Sequence, residues 1–142
     1  MIPRAMSAAI RSMQHAELAA LVRDPTQVSG RDYQVVDVRD DDFAGGNIPG
    51  AVNVPSHTLS DPTVFDSIVR SLAGVKRIVF HCALSQQRGP KAAMRMAAPL
   101  QLGGSDVYVL VGGFSRWQQA YKDEPDLLEN YDEAMWKSEW WQ

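Results

Sequence analysis

Apolar and polar positions along the chain switch between a helical period and short β-branched runs. Gln14–Arg23 (QHAELAALVR) sets Leu18, Leu21 and Val22 at helical spacing and predicts a helix. The preceding MIPRAMSAAIRSM reads continuously into it. Tyr33–Arg39 (YQVVDVR) predicts a strand with Asp37 and Arg39 at its end, and DDDFAGGNIPG after it is a loop by its glycines and proline. Ala51–Pro55 (AVNVP) is a second short strand. Asp61 then caps a helix with Pro62 in its first position, and Gly74 stops it. Lys76–Phe80 (KRIVF) is the third strand, and a helix follows from Arg88 to about Leu102, with Pro90 in its first turn. Ser105–Val111 is the fourth strand. GGFSRWQQAYKD is a loop turning into a helix, and the tail YDEAMWKSEWWQ ends in another.

Strands that alternate with helices predict a mostly parallel sheet covered on both faces. In such sheets ligands bind beyond the carboxyl ends of the strands. Cys82 lies just past the end of the third strand, where a site is expected.

Bulk properties narrow the classes. With 142 residues, one domain spanning residues 1–142 is expected, with its core at about 16–121 and a Trp-rich tail at 122–142. A net charge of −3 argues against a nucleic-acid binder. A single cysteine leaves no internal disulfide and no cysteine-rich metal site, and it fits a reducing compartment. No apolar run approaches the length of a membrane span. The expected location is the cytoplasm, with the nucleus as a second. The N-terminal arginines, with no acid before Glu17, are read as the lead into the first helix rather than as a transit peptide.

The stretch VFHCALSQQRGPKAA carries the chemistry. Cys82 sits at a strand end, Ala83, Leu84, Ser85, Gln86 and Gln87 form a loop, and Arg88 opens a helix. A tight loop before a helix turns backbone N–H groups inward as an anion-binding nest. The helix N-terminus adds free donors and partial positive charge. Arg88 adds a planar fork for two oxygens of a tetrahedral anion. The same surroundings favour a thiolate. An ionised sulfur beneath a bound oxyanion is an in-line nucleophile, and phosphoryl transfer to sulfur followed by hydrolysis is the natural reaction. The bland alternative, a buried inert cysteine, is common for a lone residue. It does not account for the strand, loop, arginine and helix occurring together.

HCALSQQRGP resembles the H-C-x-x-x-x-x-R pattern of cysteine-dependent phosphatases. It is specifically similar to the M-phase-inducer phosphatases and their small fungal and plant relatives, some of which are arsenate reductases. VVDVRDDDFAGGNIPGAVNVP and GGFSRWQQAY resemble signatures of the rhodanese fold, and together the matches span about Ala16 to Tyr121. The resemblance implies an α/β, three-layer fold with a five-stranded parallel sheet between helices. It implies Cys82 as nucleophile, Arg88 as oxyanion and transition-state binder, the backbone of Ala83–Arg88 as cradle, and His81 as a residue that orients the loop and helps hold the thiolate. Asp37 and Arg39 would be structural, and Ser85 a loop-shaping hydroxyl. The substrate would be a phosphoprotein or a small oxyanion, with no cofactor or metal. If arsenate is reduced, glutathione would be co-substrate and glutaredoxin a partner. Sulfur-transferring rhodaneses usually carry a loop one residue shorter, which ranks thiosulfate sulfur transfer low, and a non-catalytic interaction module usually lacks the cysteine or the arginine.

Four departures from that family qualify the resemblance. Ala83 stands where those phosphatases carry a glutamate, Val38 where they carry a second cysteine, and Asn47 where the fold signature has histidine. A long regulatory region is also lacking, so a dedicated cell-cycle activator is not expected. No general acid is evident. Asp40, Asp41 and Asp42 are expected in a solvated turn and Asp126 and Glu129 on an exposed acidic face. His15 and His57 are assigned no role, and Trp136, Trp140 and Trp141 are expected to pack on the core.

Overall fold

The computed structural model describes residues 10–137. Five strands form one parallel sheet in the order β1-β5-β4-β2-β3: β1 Ile10–Met13, β2 Tyr33–Asp37, β3 Val52–Asn53, β4 Arg77–His81 and β5 Asp106–Leu110. The helices are α1 His15–Arg23, α2 Pro62–Ser71, α3 Arg88–Leu102, α4 Gly113–Tyr121 and α5 Glu133–Lys137. This is the α/β three-layer arrangement expected.

All five residues of β2 are buried, and so are the last four of β4. Covered on both faces, such strands read as continuous apolar runs rather than alternating ones. The alternation lies in which layer each side chain joins. Val36, Ile78 and Phe80 pack with Met96, Ala93 and Leu100 of α3. Val35 and Val79 point the other way, to Leu18 of α1 and Phe114 and Trp117 of α4. Burial of these side chains, worth roughly 1.5–3 kcal/mol each, is the main force fixing the layers.

The segment before α1 departs from expectation. Residues 10–13 are not a lead-in helix but an edge strand, paired with Val107–Leu110 of β5. The cause is a helix boundary just after it. The Gln14 and Glu17 side chains cap each other's backbone N–H groups and start α1 at His15. At the other end, Trp136 is nearly buried, 5.5 Å from the Phe114 ring, and donates from Nε1 to the Gly45 carbonyl. Trp140 and Trp141 lie outside the described residues. No described helix is long and apolar enough to cross a membrane.

Candidate active site

Cys82 follows directly on β4, between the carboxyl ends of β2 and β5. With Ala83, Leu84, Gln86, Gln87 and Arg88 it lines an open cavity of about 260 Å³. Three local features shape the loop. Gly89 N–H donates to Cys82 Sγ at 3.3 Å, so the first turn of α3 reaches the sulfur. Cys82 N–H donates to Ser85 Oγ at 3.4 Å, and Ser85 itself has φ +54, a left-handed conformation that turns the loop. Ser85 is thus a loop-shaping hydroxyl, and it does not line the cavity.

The third feature comes from the far end of the chain. The N–H groups of Phe114 and Ser115, in the first turn of α4, donate to the carbonyls of Cys82 and Ala83 at 3.0 and 2.9 Å. Those carbonyls face α4 and not the cavity. Gly113 makes the approach possible: it has φ +57, and a Cβ there would collide with the Cys82 and Ala83 carbonyl oxygens. Gly89 serves α3 similarly, since a Cβ would sit 3.1 Å from His81 Cα and 3.2 Å from Cys82 N.

His81 is fully buried, and its Nδ1 lies 3.0 Å from the Cys82 carbonyl. A carbonyl only accepts, so Nδ1 carries the proton. Burial lowers the imidazole's pKa against the opposing pull of Asp37, whose Oδ2 is 3.5 Å from Nε2, and the ring is neutral. His81 therefore orients the loop through a backbone carbonyl. The hydrogen bond to sulfur comes from the Gly89 N–H, while the His81 ring nitrogens face the Cys82 carbonyl and Asp37.

Asp37 and Arg39 form a fully buried bidentate pair, with Nη2–Oδ2 at 2.7 Å and Nε–Oδ1 at 3.0 Å. The guanidinium also donates to the carbonyls of Asp42 and Gly46 and stacks 4.4 Å from the Phe114 ring centroid. Both residues are structural, as expected: they brace the 40–46 loop against α4.

That loop corrects the expectation of a solvated turn. Asp41 is exposed, but Asp40 and Asp42 face Arg88. Arg88 Nη1 donates to Asp42 Oδ1 at 2.8 Å and Nη2 to Asp42 Oδ2 at 2.7 Å, with Asp40 Oδ2 3.3 Å from Nη1. A guanidinium has five N–H groups. These contacts use the two-nitrogen end and leave Nε–H and one Nη2–H along one side edge, a pair suited to two oxygens of an oxyanion. The Arg88 pairing holds Asp42 below the usual carboxylate range, and Asp42 in turn raises the arginine's pKa. Asp40 loses some of this to burial, but hydrogen bonds from Ser56, His57 and Arg88 hold it low as well. Neither aspartate is poised as an acid in this state.

The other candidates fall elsewhere. Asp126 pairs with Arg23 at 2.8 Å, away from the loop. Glu129 accepts from Asn47 Nδ2 and Gly50 N–H. Asn47 is buried and bridges to residue 129 through its backbone, so the amide at the histidine position ties the C-terminal segment to the sheet. His57 is exposed and contacts Asp40 at 2.8 Å, and His15 Nδ1 lies 3.0 Å from the Tyr121 hydroxyl. Asp40 and Asp42, expected in a solvated turn, and Gly113, which sequence reasoning did not single out, all shape the site. The Gly-Gly pair after a strand was the available signal for Gly113.

The chain is 37% identical over 116 residues to the CDC25-like phosphatase YCH1 of Saccharomyces cerevisiae, covering 74% of this chain and 78% of that protein. Saccharomyces cerevisiae Ygr203w, described as a homolog of single-domain rhodanese and the Cdc25 phosphatase catalytic domain, superposes with a TM-score of 0.80 at 30% identity, over 92% of this chain and 93% of that one. The As-Sb reductase from Leishmania major gives a TM-score of 0.74 at 30% identity over 84% of each chain. Residues 14–120 match the model of the rhodanese-like domain, and with a parallel sheet that delivers a cysteine loop to its carboxyl edge, the chain belongs to the rhodanese-like family.

Proposed function

We propose that the protein is a cysteine-dependent phosphatase acting on phosphotyrosine or other phosphoprotein esters. The observation that carries this reading is the seven-residue loop from Cys82 to Arg88, which lines one cavity with both residues and leaves the Arg88 Nε–H edge unused by Asp42. The likeness to the yeast CDC25-like phosphatase supports it. Cys82 Sγ attacks phosphorus in line, the P–O bond to the leaving group breaks, and the departing oxygen takes a proton. Water then cleaves the S–P bond, releasing phosphate and restoring the thiolate. Loop N–H groups and the Arg88 edge meet the charge on the equatorial oxygens. Aryl leaving groups make the least demand on an acid, which suits a site whose nearby aspartates are held ionised. A protein with one free thiol fits the cytoplasm, with the nucleus as a second site of action.

Arsenate reduction is the second reading, favoured by the likeness to the Leishmania As-Sb reductase and by the lone cysteine. Cys82 displaces an oxygen from arsenate to give an S–As(V) bond. Glutathione attacks the Cys82 sulfur, arsenic takes the electron pair and leaves as arsenite, and a second glutathione frees Cys82 as oxidised glutathione forms. Glutaredoxin would assist that exchange.

One experiment separates the readings: parallel rates on p-nitrophenyl phosphate, on arsenate with glutathione, glutaredoxin and an NADPH-coupled glutathione reductase, and on thiosulfate, for wild type and Cys82→Ser. Aryl phosphate turnover that disappears in Cys82→Ser is expected. Turnover no higher in wild type than in Cys82→Ser rejects the phosphatase, and arsenate-dependent NADPH oxidation without phosphate release establishes the reductase instead.

A further inference from the structure

Asp40 stands between the arginine of the reactive loop and an exposed imidazole. Its Oδ2 accepts from Ser56 Oγ at 2.6 Å and lies 3.3 Å from Arg88 Nη1. Its Oδ1 accepts from the His57 backbone N–H at 3.1 Å and lies 2.8 Å from His57 Nδ1. An ionised carboxylate only accepts, so Nδ1 carries the proton and Nε2 is left to take or lose a second one. The His57 side chain is 72% exposed, so water supplies that proton. One carboxylate therefore serves two cations when the imidazole is charged and one when it is neutral.

The surroundings single out His57. Among the three histidines of the chain, His81 is buried and resists protonation, and His15 rests on the Tyr121 hydroxyl. His57 alone is hydrogen-bonded to a carboxylate that holds Arg88. Burial works to raise the Asp40 pKa, but hydrogen bonds from Ser56, His57 and Arg88 outweigh it, so Asp40 stays ionised wherever an imidazole titrates. The other charges facing His57 are Arg88, Lys91 and Arg95 of α3, across a shared groove, and Asp42 on the far end of Arg88. Imidazole is the side-chain type whose ordinary titration falls between pH 5 and 8, so these remain constant while His57 changes.

We propose that His57 is a positioning residue for the oxyanion site: through Asp40, it sets how much of the Arg88 charge is free for a bound oxyanion. With a neutral imidazole, Asp40 directs its charge to Arg88. With a protonated one, Asp40 is shared, and the Arg88 edge that Asp42 leaves unused attracts an anion more strongly. The proposal rests on the oxyanion role of Arg88, which the phosphatase and arsenate readings both require. A unit charge added about 10 Å from a dianion in a largely aqueous setting changes affinity by roughly three- to tenfold.

The test is sulfate binding to full-length Cys82→Ser protein, followed by loop amide shifts in 1H–15N NMR spectra at constant ionic strength. Sulfate stays a dianion throughout, and the serine removes any thiol titration. Affinity should rise roughly three- to tenfold from about pH 8 to about pH 6. His57→Asn keeps a neutral donor for Asp40 but takes no proton, and its affinity should be the same at both ends. Asp40→Asn leaves the imidazole free to titrate but cuts the link, and it should flatten the profile as well. A slope that survives in His57→Asn overturns the proposal. One that survives in Asp40→Asn also overturns it, because the effect would then be a distant charge and not a shared carboxylate. The spectra report whether each variant is folded, and if Asp40→Asn is not, His57→Asn decides alone. Sulfate that binds at neither pH removes the oxyanion role of Arg88 and the proposal with it. A pH-dependent sulfate site in a protein whose wild type turns over no aryl phosphate overturns the phosphatase reading and leaves the role of His57 standing.

Discussion

Replacing Gly113 by alanine tests whether the first turn of α4 sets the shape of the reactive loop. Two costs add. At φ +57 a side chain pays about 1–2 kcal/mol for the left-handed backbone. The new Cβ would also collide with the carbonyl oxygens of Cys82 and Ala83, so α4 and the loop must part. Parting them breaks the Phe114 and Ser115 hydrogen bonds to those carbonyls, each worth about 0.5–1.5 kcal/mol. The total is about 2–5 kcal/mol, or a Tm lower by roughly 10 °C in a chain of this size. Activity suffers beyond stability, because a shift of about 1 Å in positioned groups costs on the order of 100-fold in rate. Gly74→Ala is the matched control. Gly74 has φ +82, but nothing lies within 4 Å of its added Cβ, so it pays backbone strain alone. Thermal melts and p-nitrophenyl phosphate kinetics on both variants, at a temperature where both are folded, make the measurement. Gly74→Ala keeps wild-type kcat, and Gly113→Ala loses it. If Gly113→Ala melts no lower than Gly74→Ala and retains kcat within twofold, the loop does not depend on α4 and the reasoning fails.

Other outcomes follow from neighbouring geometry. Arg88→Lys removes the fork and its open edge, so kcat on aryl phosphate should drop about 100-fold or more, with a weaker Ki for sulfate; a loss under tenfold would show that a point charge suffices. His81 is buried with its pKa lowered from 6.5. Below pH 6.5 the unfolded chain takes up a proton that the folded ring refuses, so urea-measured stability should fall as pH drops from 6.5 toward 5.5, at up to about 1.4 kcal/mol per pH unit. His81→Asn should flatten that slope, and an unchanged slope would reject a neutral buried imidazole. Val38 follows Asp37, the register partner of His81, and shares a core cluster with Cys82. A cysteine there would stand beside Cys82 across parallel strands. Val38→Cys should form an intrachain disulfide after mild peroxide and regain activity with thiol, whereas wild type should accumulate Cys82 sulfinate by mass spectrometry.

What the sequence disclosed depended on how local the cause was. β2 and β4 stood out because strands covered on both faces are continuously apolar. The Cys82–Arg88 loop stood out because its residues are adjacent in the chain. β1 did not, since only Met13 of its four residues is buried and its pairing with β5 spans nearly a hundred residues. Asp40 and Asp42 looked like a polar turn because nothing local distinguishes a carboxylate facing water from one facing an arginine 46 residues onward. The close approach of Gly113 to the loop carbonyls was equally remote. The fold and the position of the cysteine loop were therefore legible, while the groups that hold the loop and its arginine were not.

The brace running from α4 has a consequence for engineering. Phe114 stacks on Arg39, Arg39 holds the Asp42 carbonyl, and Asp42 holds Arg88. A transplant of residues 82–88 into another scaffold would carry Cys82 and Arg88 and lose their alignment. The smallest portable cassette comprises three pieces, residues 37–46, 81–89 and 112–115, and a recipient must already present three strand ends at matching heights to receive them.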